Sequence, residues 1–351
     1  MNPKFPLYRN DGRASVYINS FQRQALKNFV AKLDSGVYHL EDNPCMCGAH
    51  DDVAVTEKDR YGFPCRYVLC RNCGLVRLEK RLDDESTALF YRDDYRSIYE
   101  GSEQPQEKYF RFQERRGDLF YSIIDEYADI SSVHSVFEVG CGAGGILYAF
   151  HKRGIKASGC DFGEKYLSAG RAYGLDLYEG ELDLTKTPPN SQDVVILSHV
   201  LEHLNNPIDY VNKLAEMISP DGLLLVQVPG MLSIGKQYVF PIRYFQNAHV
   251  NNFYGHYLKR FFTTLGFEVV YGDEECTFIM RKPKGWIRKD TGNIIMWDED
   301  MPQWSQQIEY SLKKDYLLSY IRRSGIKLRR CIVRVLDILH IKGYVKRLLK
   351  S

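Results

Sequence analysis

The sequence predicts an α/β fold over residues 131–283, a seven-stranded, mostly parallel sheet with helices on its faces. Three observations carry this. From residue 134 onward, strand-like and helix-like segments alternate. The first strand candidate runs straight into a glycine loop, FEVGCGAGG at 137–145. The last two strand candidates are separated only by Asp273, Glu274 and Glu275, too short for a crossover, so they must form an antiparallel hairpin. Five βα units closing on such a hairpin give a parallel sheet with one reversed strand at the edge.

Each element follows in order. An N-terminal helical segment, 1–36, holds a helix expected at 20–34. Asn19 or Ser20 can cap it, Phe21, Ala25, Leu26, Phe29, Val30 and Leu33 share one face, and Gly36 stops it. Residues 37–81 read as a cysteine-bearing module of short strands and turns. Residues 82–130 look helical and aromatic, with FYRDDYRSIYEG at 90–101 followed by a charged, amphipathic stretch. The core strands are placed at 135–140, 157–161, 176–180, 193–198, 223–229, 267–272 and 276–282. An insertion, 230–263, follows the fifth strand, and 284–351 form a basic helical extension.

The glycine loop can be spelled two ways. Gly140, Gly142 and Gly145 fit G-x-G-x-x-G, the dinucleotide fingerprint. Glu138, Gly140, Gly142 and Gly144 fit E-x-G-x-G-x-G, with an acid ending the strand. A dinucleotide fold calls for six parallel strands in two halves, which the terminal hairpin does not supply, and an anion at 138 gains nothing beside phosphates. The region resembles the class I S-adenosylmethionine (SAM)-dependent methyltransferases, Rossmann-like proteins whose first strand ends E/D-x-G-x-G. The resemblance implies that the glycines admit the methionine part of SAM without a Cβ in the way, and that Glu138 helps position its cationic groups. It also implies that Asp161, ending the second strand, accepts the ribose hydroxyls. Glu181, just past the third strand, accepts from the adenine amine, and Ser198 opens SHVLEHL, 198–204, the form taken after the fourth strand.

Composition bounds the rest. The chain has 351 residues, 44% apolar and 26% charged, the profile of a globular protein with room for roughly two domains. No apolar run approaches the ~18 residues that span a bilayer, and MNPKFPLYRNDGR lacks the apolar stretch of an export signal. Nine cysteines without such a signal point to a reducing compartment, the cytoplasm, and to metal binding or burial rather than disulfides.

Cys45 and Cys47 in CMCG, with Cys70 and Cys73 in CRNCG, form two pairs, each followed by a glycine that opens a knuckle. Four thiolates make a closed tetrahedral site, so a structural Zn2+ is expected. The first pair is C-x-C, one residue tighter than usual, which leaves Cys65 and His50 as alternative ligands. SGVYHLEDNPCMCG, DRYGFPCRYVLCRNCGLVR and FYRDDYRSIYEG ahead of the core resemble methyltransferases with a zinc-ribbon-like module from deoxysugar and surface-polysaccharide pathways. The resemblance covers roughly 20–285 and implies a sugar acceptor, on a nucleotide or a growing glycan. The C-methylating members carry a second Rossmann-like domain for which this chain is too short, so O- or N-methylation of the sugar is in front, with O-methylation by a histidine base the first expectation.

A sugar hydroxyl is a weak nucleophile, and a histidine can take its proton during methyl transfer. His249, in an H-x-x-x-F pattern ending at Phe253, is the first candidate base and His199 the second. Tyr244, Phe253 and His203 are candidate acceptor contacts. Lys236 and Arg243 are basic enough to meet a sugar diphosphate, although solvated surface explains them as well.

Residues 321–351 hold ten Lys or Arg and one acid, so +9 of the net +2 lies in the tail and 1–320 carry −7. A basic amphipathic tail fits peripheral contact with a membrane, and a helix docked on the protein fits equally. The acidic body speaks against a nucleic-acid surface. The rival readings are an RNA methyltransferase using the cysteine module for recognition, a NAD-linked sugar oxidoreductase, and a module that binds SAM without turnover.

Overall fold

The computed structural model describes residues 8–99, 106–289 and 298–338, with side chains described only as far as residue 325. The chain opens with α1 (Ser20–Asp34), capped by Asn19, whose side chain accepts from the Gln22 amide while the Gln22 side chain accepts from the Asn19 amide. These reciprocal bonds satisfy two of the helix's orphan donors. Next come β1 (Leu40–Asp42), β2 (Asp52–Lys58), β3 (Pro64–Cys70), β4 (Val76–Leu78) and β5 (Lys80–Leu82), then α2 (Asp84–Asp93), α3 (Tyr95–Tyr99) and α4 (Glu107–Tyr127).

The core follows as β6 (Ser135–Val139), α5 (Gly145–His151), β7 (Lys156–Asp161), α6 (Glu164–Arg171), β8 (Asp176–Glu179), β9 (Gln192–Ser198), α7 (Pro207–Met217) and β10 (Ile218–Gln227). The insertion holds α8 (Ile234–Gln237) and β11 (Asn251–Asn252). Then come α9 (Gly255–Thr264), β12 (Glu268–Gly272), β13 (Thr277–Arg281) and α10 (Met301–Ile338). All seven expected core strands are present.

They form one sheet in the order β12-β13-β10-β9-β6-β7-β8. β6, β7, β8, β9 and β10 are parallel neighbours, and β13 runs antiparallel to both β10 and β12. The reversed strand is therefore one position in from the edge, not at the edge as the sequence implied. α9 carries the chain past a vacant strand position, and the tight turn returns β13 into it. There β13 finds backbone partners on both sides. Burial agrees: Thr277–Met280 are all buried, whereas β12 is half-exposed. The central strands β9 and β10 are nearly continuous buried runs, as expected where helices cover both faces.

A second sheet, β11-β4-β3-β2, is antiparallel throughout. Three of its strands come from the cysteine module, and the fourth comes from the insertion after β10. Tyr67, Leu75, Val76 and Leu78 of the module pack in the same core cluster as Leu197, Phe253, Tyr257 and Phe261. The insertion ends earlier than expected, since α9 already begins at Gly255.

No helix among the described residues is long and apolar enough to cross a membrane. The backbone of the basic tail is helical to Ile338. The side chains of the amphipathic tail beyond residue 325 lie outside the described residues.

Candidate active site

The carboxyl ends of β6, β7 and β9 converge on one cavity of about 490 Å3, the position where open α/β sheets bind ligands. The glycine loop forms one lip. The amides of Gly140 and Cys141 both donate to the Cys160 carbonyl, at 2.8 and 3.1 Å, which ties the loop to β7. Gly140 has a φ of 69°, and a Cβ there would come within 2.8 Å of the Val200 side chain. Only glycine fits both the conformation and the space. Gly144, in the left-handed region, caps α5, and Gly142 at φ 56° donates its amide to the Asp161 Oδ2 at 2.9 Å.

Glu138 ends β6 only 2% exposed, and its Oε2 has no hydrogen-bond partner. Burial pushes its carboxyl well above the ordinary range, against the pull of the nearby Arg116. A buried, unsatisfied carboxylate oxygen beside a glycine lip fits a ligand that brings an ammonium group. Arg116 itself is half-buried and directs an Nη1 at the Ser198 hydroxyl, 3.5 Å away.

Of the residues assigned to the cofactor, Gly140, Asp161 and Glu181 line the cavity. Glu138, Gly142, Gly144 and Ser198 stand behind that wall. Asp161 is heavily engaged. Its Oδ1 accepts from the Gly163 amide at 2.8 Å and pairs with the Arg96 guanidinium, which lies 3.9 Å over the Tyr166 ring. Arg96 comes from α3. With Tyr91 and Tyr95 it supplies a wall of the cavity from the helical segment before the core. Tyr91 stacks on Phe162, ring centroids 6.3 Å apart, and both tyrosines meet His203 edge-on. Asp84, Thr87, Asn205, Asn206 and Lys213 complete the cavity with polar groups.

The histidines gather around Glu202, which is 1% exposed. His199 directly follows β9, in the left-handed region at φ 58°. Its Nδ1 lies 3.3 Å from the Glu202 Oε1, so the carboxylate fixes that nitrogen as the donor and leaves Nε2 with a free lone pair. The side chain is 36% exposed and lines the cavity. His203 lines it too, with its Nδ1 2.9 Å from the Ala248 carbonyl, and burial lowers its pKa.

His249, the first candidate base, is not on the cavity wall. It packs behind His203, ring centroids 4.9 Å apart, where burial and then the nearby His203 and Arg60 hold its pKa well below the ordinary value. Tyr244 and Phe253 are buried in the core cluster, and the Tyr244 hydroxyl donates to the Pro229 carbonyl at 2.9 Å. The insertion thus turns its aromatic residues inward, because its short turns have no other core.

Sequence reasoning gave no role to Glu202, Arg96, Arg116, Tyr91 or Tyr95. Glu202 was visible inside SHVLEHL, and Tyr91, Tyr95 and Arg96 inside FYRDDYRSIYEG. Nothing in the pattern indicated that they face the glycine loop.

The module's thiols form a second cluster. Cys45 and Cys73 Sγ are 3.4 Å apart, Cys47 and Cys45 3.5 Å, and Cys47 and Cys70 3.7 Å. Disulfides require about 2.05 Å. Sulfurs on a tetrahedral zinc, at roughly 2.3 Å from the metal, sit about 3.8 Å apart, which these spacings approach. Among the described residues the four-cysteine group includes neither Cys65 nor His50. Gly48 and Gly74 follow the knuckles at φ 76° and 78°, and their amides donate back to the Cys45 and Cys70 carbonyls.

Sheet order, glycine lip and the acids at or after the ends of the first three strands are those of the class I methyltransferase fold. Consistent with this, residues 111–271 match the family described as methyltransferase domain. A ubiquinone biosynthesis O-methyltransferase from Azoarcus is 36% identical over 97 residues, 25% of this chain and 40% of that protein. The chain thus spans about two fifths of that relative's length. Among solved structures, a SAM-dependent methyltransferase from Archaeoglobus fulgidus aligns at 19% identity over 50% of this chain and 99% of its own, TM-score 0.38. An aminopentose methyltransferase from Micromonospora echinaspora aligns at 20% identity over 33% and 50%, TM-score 0.29.

Proposed function

We propose that the chain is a SAM-dependent O-methyltransferase whose acceptor is a sugar hydroxyl. One observation carries the reading: a carboxylate-oriented imidazole, His199 on Glu202, lines the cavity, and a buried carboxyl with an unsatisfied oxygen, Glu138, stands just behind the glycine lip of that cavity. The first suits a proton taken from the acceptor, and the second suits the ammonium of SAM. Asp161 and Glu181 would hold the ribose hydroxyls and the adenine amine. The cavity's mixture of tyrosine faces and hydroxyl, amide and carboxylate groups suits a polyhydroxylated ring.

Bound SAM supplies an electrophilic methyl carbon and a sulfur leaving group. With SAM bound, the acceptor oxygen would bond to that carbon as the carbon–sulfur bond broke and its electron pair stayed on sulfur, and His199 Nε2 would take the hydroxyl proton. Glu202 stabilises the imidazolium that forms, and the walls exclude water and hold the oxygen in line. His203 contacts the acceptor. The insertion supports this side from behind, with His249 packed against His203. The four thiols hold a structural zinc that lies apart from the chemistry.

The test is direct. Calorimetry should show SAM and S-adenosylhomocysteine binding and no binding of NADH. Incubation of a nucleotide-sugar mixture with SAM should give a product heavier by one methyl group, with an NMR methyl signal in the O-methyl rather than the N-methyl range. Methylation of phenols with no turnover of any sugar would remove the sugar assignment.

A further inference from the structure

The Glu202 cluster holds more than a base needs. Glu202 Oε1 faces three imidazoles, at 3.3 Å from His199 Nδ1, 3.8 Å from His203 Nε2 and 3.9 Å from His249 Nε2. Glu202, His203 and His249 are all buried, and their donor atoms lie within 4.8 Å of one another. His203 Nδ1 is committed to the Ala248 carbonyl, which makes it the protonated nitrogen and leaves Nε2 as a bare donor. Carbonyl-anchored imidazoles of this kind are the usual metal-ligating histidines. The cluster is also unsatisfied. Glu202 Oε2, His249 Nδ1 and Gln246 Oε1 are buried without a hydrogen-bond partner, and the Gln246 amide nitrogen sits against His249 Nε2.

A buried carboxyl faced by imidazole nitrogens, with its second oxygen unpartnered, is a ready set of metal donors. From this geometry we infer a second metal site, for a first-row divalent cation, with Glu202, His203 and His249 as its ligands. Two imidazole nitrogens and one carboxylate suit manganese, iron or cobalt, while four thiolates select zinc. Donors around such an ion at roughly 2.1 Å stand about 3.0–3.5 Å apart, so the two spacings from Glu202, 3.8 and 3.9 Å, would close in by about 0.3–0.9 Å. Three protein ligands leave coordination positions open. His203 belongs both to the cluster and to the cavity wall, so a cation on its Nε2 would border the space that the acceptor occupies. Resting on the methyl-transfer reading, its role is to hold the acceptor oxygen and lower the hydroxyl's pKa, with His199 receiving the proton.

The experiment uses the full chain with zinc in its cysteine site, titrated with Mn2+ alone and followed by loss of the free-ion electron paramagnetic resonance signal. One Mn2+ should bind per chain, with nitrogen couplings from imidazole. Glu202→Gln and His249→Gln should each weaken binding at least tenfold while zinc content and melting temperature hold. If the wild-type chain binds no Mn2+, binds it without nitrogen coupling, or binds it as tightly in both variants, the site does not exist. The nitrogen signal is read on the wild type, so a variant that fails to fold does not decide the matter. SAM affinity, measured in the same chain under chelation, separates the two ideas. SAM binding and sugar methylation that persist fully without the cation overturn the metal site and leave the methyltransferase intact. Mn2+ binding without any methyl transfer does the reverse.

Discussion

Replacing Glu138 by glutamine should have opposite effects on the free protein and on its complex with SAM. In the free chain the carboxyl is buried and its pKa is raised well above its ordinary 4.5, with desolvation outweighing Arg116. The folded state therefore binds more protons than the unfolded state in a window that opens near 4.5 and extends upward. There, stability falls as pH rises. Glutamine matches the neutral acid in shape and removes this loss, so Glu138→Gln should melt at or above the wild-type temperature, with a margin that grows from pH 5 to pH 8. SAM is expected to bring an ammonium to the same oxygen. A hydrogen bond to a charged group contributes about 1.5–3 kcal/mol, so affinity should fall about ten- to a hundredfold. Wild-type affinity should rise with pH as Glu138 gives up its proton, whereas the variant's should stay flat. Calorimetry and thermal melts over that pH range measure all three quantities. A variant that binds SAM like the wild type, or melts lower by a margin that widens with pH, would refute the assignment of this carboxylate.

Three further outcomes are expected. His199→Ala should lower kcat about 10²–10⁴-fold and leave the SAM dissociation constant within a few-fold, as read by single-turnover kinetics beside calorimetry; a comparable loss in SAM affinity would place His199 in the cofactor site instead. Arg96→Ala should tighten SAM binding by a few-fold, because the ribose competes for the carboxylate that Arg96 holds; weaker binding would make Arg96 part of the site. Removing zinc with a strong chelator, or Cys70→Ser, should abolish a one-per-chain zinc signal and cost several kcal/mol of stability. It should also reduce methyl transfer, and an unchanged melting curve would show that the thiols are not a folding centre.

The parallel sheet was legible because its signals are local. Val194–Leu197 and Leu223–Val226 are apolar runs with one reading each, and Glu138 with Gly140 marks a strand running into a loop that only glycine can form. The hairpin of β12 and β13 was legible as well, but its insertion next to β10 was not, since strand order depends on where α9 crosses the sheet. The site was legible on the cofactor side, where each acid ends a strand, and obscure on the acceptor side. His249 sits behind His203 because residues 230–254 fold back onto the module, a contact between segments some 180 residues apart, as in Tyr67 and His249. Spacing along the chain carries no record of it. Arg96 was hidden for the same reason: its partner, Asp161, is 65 residues away.

The cysteine module therefore has a mechanical relation to the site. The stretch between β10 and α9 has only short helical turns and a two-residue strand, and loops of that length rarely hold a shape unaided. Here the module holds it. β11 pairs with β4, the Leu78 amide donates to Val250, and the Tyr67 hydroxyl is shared between the Gln246 and His249 carbonyls. The knuckles are gripped in return. The Tyr254 hydroxyl donates to the Cys73 carbonyl at 2.7 Å, and the Ser305 hydroxyl of α10 to the Cys70 carbonyl at 3.1 Å. Each of these bonds joins a residue within a few positions of a thiol to one within a few positions of His249, or to the helix that closes over them. An anchor at the four thiols fixes β3 and β4, these fix the loop, and the loop fixes His249 against His203 and Glu202. The distance from the thiols to the cavity is thus bridged by strand pairing and tyrosine-hydroxyl bonds that end in the ring contact of His249 with His203, and a module whose thiols lie off the cavity can still set the geometry of the acceptor side.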